Sequence, residues 1–149
     1  MKDRILNCIS ESISVKKSIL NSREIVSSIQ QIVDYSVALY KEKAKILICG
    51  NGGSAADAQH IAAELSGRFY KERKPLFAEA LHVNSSYVTA VANDYGFDNI
   101  YSRMIEAAGR KSDMLIAIST SGNSKNIINA LTKAKEVGML TVGFSGKKL

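Results

Sequence analysis

Glycine and proline are both missing from residues 1–44, and the whole chain of 149 residues has a single proline, Pro75. Tight turns are thereby excluded from the first third of the chain, which is left free to be helical. Cysteine is nearly absent too. Cys8 lies in a helical pattern and Cys49 in an apolar run, so neither a disulfide framework nor a cysteine-based metal cluster is expected. No apolar stretch approaches the roughly 20 residues that cross a bilayer. The start, Met1-Lys-Asp-Arg-Ile-Leu6, lacks the apolar segment and cleavage site of a secretory signal, so a cytoplasmic location without membrane contact is expected. There is no stripe of aromatic and basic residues of the kind that stacks on bases, and nucleic acid is not an expected partner. The formal charge of +6 suits an anionic small molecule instead, and Lys71-Glu-Arg-Lys74 reads as solvated surface. With 46% apolar and 23% charged residues, the composition is that of an ordinary globular domain with a real core.

The chain is organised around residues 45–64. Ile46, Leu47, Ile48 and Cys49 form the short apolar run required of a strand covered on both faces. It ends at Gly50-Asn-Gly-Gly-Ser54, whose glycines permit unusual backbone angles and close approach of a ligand. A helix is predicted from about Ser54, with Ala58, Ile61, Ala62 and Leu65 on its apolar face, so its N-terminus turns free N–H groups toward the glycine turn and favours an anion there. Asp57, His60 and Glu64, spaced by three and four residues, make a second stripe along the same helix. Such a stripe is either a solvated face with one ion pair, a partial metal site, or a carboxylate base beside a substrate.

Before this stretch, Ile5, Ile9 and Ile13, then Ile25, Ile29, Ile32 and Val33, have helical spacing. Two helices are predicted, broken near Asn21-Ser22, with Asn21 and Glu24 as a capping box. After it, Leu76–Leu81 reads as a second strand. Ser85-Ser86 are placed as the cap of a helix through Val88 and Val91 to Asn93-Asp94. Asp98 is placed as the cap of a helix that stops at Gly109. Met114–Ile118 reads as a third strand, Ile127, Ile128 and Leu131 as a helix closing at Gly138, and Met139–Phe144 as a fourth strand. Strands alternating with helices give an α/β fold, a doubly wound parallel sheet with ligands at the carboxyl ends of the strands.

Two of those ends carry polar loops. Ser119-Thr-Ser-Gly-Asn-Ser124 offers four hydroxyls and a helix N-terminus, the makings of a phosphate cradle. It lacks Gly-Lys-Ser/Thr, so a metal-bound nucleoside triphosphate is not implied. Gly50-Asn-Gly-Gly-Ser-Ala55 satisfies the G-x-G-x-x-A pattern of dinucleotide sites, but His82 stands where the ribose-binding acid belongs at the end of the second strand, with Glu79 inside that strand and Glu72 before it.

Gly50-Asn-Gly-Gly-Ser54, Asp57, His60-x-x-x-Glu64-Leu-Ser-Gly-Arg68, Asn93-Asp-x-Gly-Phe97 and Ser119-Thr-Ser-Gly-Asn-Ser124 together resemble the phosphoheptose isomerase family of the sugar isomerase (SIS) domain group. The resemblance implies a flavodoxin-like fold and a cytoplasmic homotetramer with active sites shared between subunits. Residues 1–44 would serve assembly, and 45–149 would form the SIS domain. It implies conversion of sedoheptulose 7-phosphate to D-glycero-D-manno-heptose 7-phosphate through an enediol, feeding ADP-heptose for lipopolysaccharide or capsule. Carried over by position, Ser119, Thr120, Ser121 and Ser124 hold the phosphate or nearby hydroxyls, and Asn51, Gly52, Gly53 and Ser54 line the sugar. Asn93 and Asp94 also contact substrate, Glu64 is the base, His60 and Glu64 supply part of a zinc site, and Arg68 is a candidate for the pocket.

In that family a later helix adds a Gln and a His, both zinc ligands, the His being also the second proton-transfer group. This chain ends at Phe144-Ser-Gly-Lys-Lys-Leu149, and the expectation is that a further strand and helix, roughly 30 residues, are lacking. His82 follows a different strand and is not placed in that role. The reading from another class is a non-catalytic SIS domain that binds a sugar phosphate or a replication-initiator protein. The His60/Glu64 pair argues against it, because a binding module needs no base.

Overall fold

The computed structural model describes residues 2–146, and they fall into two compact units, the first ending at Val37 and the second starting at Ala38. Helix α1 (Lys2–Asn21) and the part of helix α2 (Arg23–Lys41) up to Val37 make the first unit. Ser22 alone is non-helical between them, and its hydroxyl accepts the Ile25 N–H at 3.3 Å. The cap is therefore Ser22 and not an Asn21/Glu24 box, since Asn21 completes the last turn of α1. Ile5, Ile9, Ile13, Ile25, Ile29 and Val33 are all exposed. No helix among the described residues is long and apolar enough to cross a membrane.

The second unit is built on a wholly parallel sheet of β1 (Ile46–Gly50), β2 (Ala78–Ala80), β3 (Met114–Ser119) and β4 (Leu140–Ser145), in the order β2-β1-β3-β4. Helix α3 (Gly53–Ser66) joins β1 to β2. Helix α4 (Ser85–Tyr95), a 3-10 turn (Phe97–Asn99) and helix α5 (Ile100–Ala108) lead to β3, and α6 (Lys125–Val137) leads to β4. Each parallel pair needs such a crossover, which is why the chain alternates. Ile46, Ile48, Met114 and Ile116 point to one face, where they pack with Ala58 and Ala62 of α3 and Leu39 of α2. Their neighbours Leu47, Cys49, Leu115 and Ala117 point to the other, against Val91, Tyr101, Ile105, Ile127 and Ala130. A continuous apolar run thus feeds two cores at once, as period-two alternation dictates. Each large strand residue taken out of water contributes on the order of 1.5–3 kcal/mol.

Several element ends differ from expectation. Strand β2 covers only Ala78–Ala80 of the predicted Leu76–Leu81, because the Leu76 N–H turns to the Leu65 carbonyl at the end of α3. Asn84, not Ser85 or Ser86, caps α4 by accepting the Tyr87 N–H at 3.0 Å. Asp98 caps nothing: it sits inside the 3-10 turn, and the residue before α5 is Asn99, whose side chain reaches back to the Tyr95 carbonyl. Helix α6 closes at Gly138, which adopts a left-handed φ of 85° and donates to the Ala134 and Lys135 carbonyls.

At the amino end of the sheet lies the buried carboxylate of Asp113. It receives the Lys45 ammonium at 2.5 Å and the backbone N–H groups of Lys45 at 3.0 Å and Arg110 at 2.9 Å. One side chain therefore joins the starts of β1 and β3.

Candidate functional site

At the opposite end of the sheet, β1 and β3 both deliver polar loops to helix N-termini. Gly50 is required by packing as well as by the turn: a Cβ there would lie 2.5 Å from the Ser54 carbonyl oxygen. Gly52 carries a φ of 55°, which few side chains tolerate, and it lets the first turn of α3 form on the Asn51 and Gly52 carbonyls. Ser54 is buried in that turn. Gly53 is exposed, and its N–H has no acceptor among the described residues.

The second loop is tied up from within. The buried Ser119 hydroxyl accepts the Gly122 N–H at 3.2 Å and lies 3.4 Å from Ser124 Oγ, and the Ser121 hydroxyl accepts the Asn123 N–H at 3.2 Å. Thr120 and Ser121 are exposed. Ser124 stands at the N-cap of α6, yet its side chain makes no bond to the helix, so the N–H groups of Lys125 and Asn126 meet no acceptor among the described residues. Free amides, hydroxyls and the positive end of a helix dipole on one short loop are the chemistry that holds a dianionic phosphate.

Two residues that sequence reasoning did not single out bind these loops to the scaffold. Asn126 is 2% exposed, and its amide exchanges reciprocal hydrogen bonds with that of Asn51, at 2.9 and 2.8 Å. Its only local signal is a polar residue on the buried face of α6, beside Ile127 and Ala130. Tyr101, fully buried on α5, donates its hydroxyl proton to the Gly50 carbonyl, and burial pushes its pKa up to about 12, so it remains a donor at neutral pH. The amide pair is a testable element. Asn51→Ala is expected to lower unfolding free energy by about 1–2 kcal/mol, because it leaves the Asn126 amide buried and unsatisfied, and Asn126→Ala by less, because half-buried Asn51 can turn toward water. The double variant should lose little more than the worse single one in urea unfolding. Additive losses would mean that the two amides do not support each other.

The α3 stripe forms the wall of a separate cavity of about 790 Å³, where Asp57, His60 and Glu64 stand with Ile61, Leu65, Phe69, Tyr70, Lys71, Arg73, Ile118 and Phe144. Ile118 immediately precedes Ser119, so this cavity abuts the hydroxyl loop. His60 Nε2 and Glu64 Oε1 are 3.3 Å apart. That separation is close to the edge of a tetrahedron of donors at about 2.0–2.1 Å from a zinc ion, about 3.4 Å. The pair fits two of the four positions of a zinc site. Among the described residues no group of three or more His, Cys, Asp or Glu is gathered in a metal-binding arrangement, and Asp57 is not brought to the pair. Arg73, expected on solvated surface, donates instead to the Glu64 and Leu65 carbonyls, each at 2.9 Å, and so closes the C-terminus of α3.

Other candidates lie apart from both places. Arg68 pairs with Glu72 at 2.9 Å in the open. Asn93 and Asp94 are exposed on α4 and hydrogen-bonded to each other at 2.9 Å, outside the wall of the cavity that holds Glu64. A smaller cavity of about 300 Å³ opens beside the glycine turn, with His82, Thr89, Phe97 and Tyr101 among its walls.

Residues 12–146 match the SIS domain family model. The chain is 51% identical over 147 residues to the phosphoheptose isomerase of Clostridium acetobutylicum, a match that covers 99% of this chain and 75% of that one. It is 50% identical over 137 residues to the phosphoheptose isomerase of Mycobacterium tuberculosis, covering 92% and 70%. Among solved structures, phosphoheptose isomerase from Neisseria gonorrhoeae superposes with a TM-score of 0.89 at 40% identity, covering 97% of this chain and 74% of that one. A phosphoheptose isomerase from Francisella tularensis superposes with a TM-score of 0.90 at 35% identity, covering 96% and 74%.

Proposed function

Since the chain belongs to the phosphoheptose isomerases of the SIS-domain family, we propose that it interconverts sedoheptulose 7-phosphate and D-glycero-D-manno-heptose 7-phosphate through an enediol. The observation that carries the reading is the adjacency of a carboxylate cavity and a hydroxyl loop: Ile118 lies in the wall of the cavity that holds Glu64, one residue before Ser119.

Ser119, Thr120, Ser121 and Ser124 hold the phosphate at the N-terminus of α6, where the helix dipole and free amides favour its charge. Asn51, Gly52, Gly53 and Ser54 line the sugar, and Asn93 and Asp94, which line neither cavity of their own chain, contact substrate in a site shared between subunits. Glu64 removes the proton from C1, and the electron pair of that C–H bond forms the C1=C2 double bond while the C2 carbonyl oxygen takes up a proton. Loss of the O1 proton and protonation at C2 then give the aldose. A carboxylate suits this task because it shuttles one proton between neighbouring carbons without leaving the site. His60 and Glu64 are the two zinc donors this reading uses, the remaining ligands coming from outside the described residues. Bound there, zinc supplies Lewis-acid polarisation of a substrate oxygen.

The proposal sets the reaction in the cytoplasm, as the first step toward ADP-heptose for lipopolysaccharide or capsule, and assembles the chain as a homotetramer. Support for assembly comes from the exposed isoleucines of α1 and α2, which a second copy of the same helices would bury. The test is incubation of the chain with sedoheptulose 7-phosphate in deuterium oxide, followed by NMR. An aldose phosphate with deuterium at C2 is the expected result. Binding without turnover or exchange would replace the enzyme by a sugar-phosphate-binding module.

A further inference from the structure

His82 has no part in the proposed proton transfer, yet its surroundings are specific. It follows β2 by two residues and lines the cavity of about 300 Å³ beside Gly50, Asn51 and Gly52. Its Nδ1 is buried without a hydrogen-bond partner. Nε2 has no partner among the described residues either, and it is not among the buried unpartnered atoms, so it reaches solvent.

These facts select a tautomer. A proton on Nδ1 would bury an unsatisfied N–H, whereas a bare Nδ1 buries only a lone pair, and the proton belongs on the nitrogen that reaches solvent. Burial also lowers the pKa of the ring, which keeps it neutral at physiological pH. A neutral Nε2–H is a donor without charge. It suits a hydroxyl or carbonyl oxygen and gives no special preference to phosphate.

The rest of the cavity matches that use. Val88, Phe97 and Ile100 supply apolar surface for the C–H faces of a carbon chain. Thr89 donates its hydroxyl proton to the Ser85 carbonyl at 2.8 Å, leaving its oxygen able to accept. Walls of this mixed kind accommodate a polyhydroxylated chain.

We propose that His82 is a substrate-binding residue, its Nε2–H donating to an oxygen of the sugar chain in the cavity beside the Gly50-Asn51-Gly52 turn. The inference rests on the sugar-phosphate reading and adds to it a specificity contact.

The test uses the full chain, labelled with ¹⁵N, together with His82→Gln and His82→Asn. The Gln amide nitrogen replaces Nε2 in reach, whereas the Asn nitrogen stops near the position of Nδ1. Long-range ¹H–¹⁵N spectra should show the Nε2–H tautomer, and an Nδ1–H tautomer would overturn the proposal. In turnover of sedoheptulose 7-phosphate, His82→Gln should retain kcat/KM within about threefold. His82→Asn should lose about tenfold through KM, as expected for one neutral hydrogen bond. Equal losses in both variants, or none in either, would count against the contact, as would a loss that merely follows reduced thermal stability. If the unsubstituted chain turns nothing over, the isomerase reading fails separately. The same sugar phosphate is then titrated against the ¹⁵N signal: a shift of His82 Nε2 supports the contact, and an unmoved signal ends it.

Discussion

Glu64→Gln is expected to lower kcat by about 10²–10⁴, the range that a positioned general base contributes, with KM changed by no more than a few fold. Gln has nearly the same shape and can still hydrogen-bond to His60, 3.3 Å away, so the cavity wall and the α3 stripe persist. What disappears is a basic oxygen able to take a carbon-bound proton. The two effects separate in a single experiment, in which substrate affinity is measured by calorimetry and C1 proton exchange by NMR in deuterium oxide. Binding near that of the parent, with exchange abolished and the zinc content unchanged, identifies Glu64 as the base. Loss of binding in step with loss of exchange would make it a binding residue and move the proton transfer elsewhere.

Asp113→Ala is expected to have the largest effect on stability, about 3–5 kcal/mol as for other broken buried ion pairs. The side chain of Asp113 is 3% exposed, and its loss strands two backbone N–H groups as well as the Lys45 ammonium. Because Lys45 retains 18% exposure and can turn toward water, the lower end of the range is the better expectation. Asp113→Asn keeps one acceptor oxygen and should recover part of the loss. Urea unfolding measures both. The corresponding kcat/KM per folded molecule should not change, since Asp113 sits at the amino end of the strands, away from the loops. A fall in kcat/KM without a fall in stability would contradict this structural assignment.

The alternation of strands and helices was legible because burial on both faces of the sheet forces compact apolar runs, such as Ile46–Cys49, between helical stretches of a different period. The Asp57/His60/Glu64 stripe was legible for a similar reason: spacings of three and four place residues on one helical face whatever the rest of the chain does. Helix starts were harder. Asn21 and Ser22, or Asn84 and Ser85, are adjacent residues with equal capping chemistry, and only the path of the backbone selects Ser22 and Asn84. Arg73 looked like one cation in a charged run, and nothing local says that its guanidinium folds back on the end of α3. Asn126 and Tyr101 were invisible for a stronger reason. Their partners lie 75 and 51 positions away, and no periodicity links such positions until the sheet has brought β1 beside α5 and α6.

The reciprocal amides of Asn51 and Asn126 also bear on the entropy of ligand binding. Turning either amide over would set donor against donor and acceptor against acceptor, so both orientations are locked before any ligand arrives. Each amide retains one N–H and one lone pair outside the pair, pointing in a direction already chosen. Immobilising a free side chain on binding typically costs about 0.5–1.5 kcal/mol. At Asn51 that ordering is complete in the folded chain, and a ligand reaching the glycine turn meets a donor that is already in place.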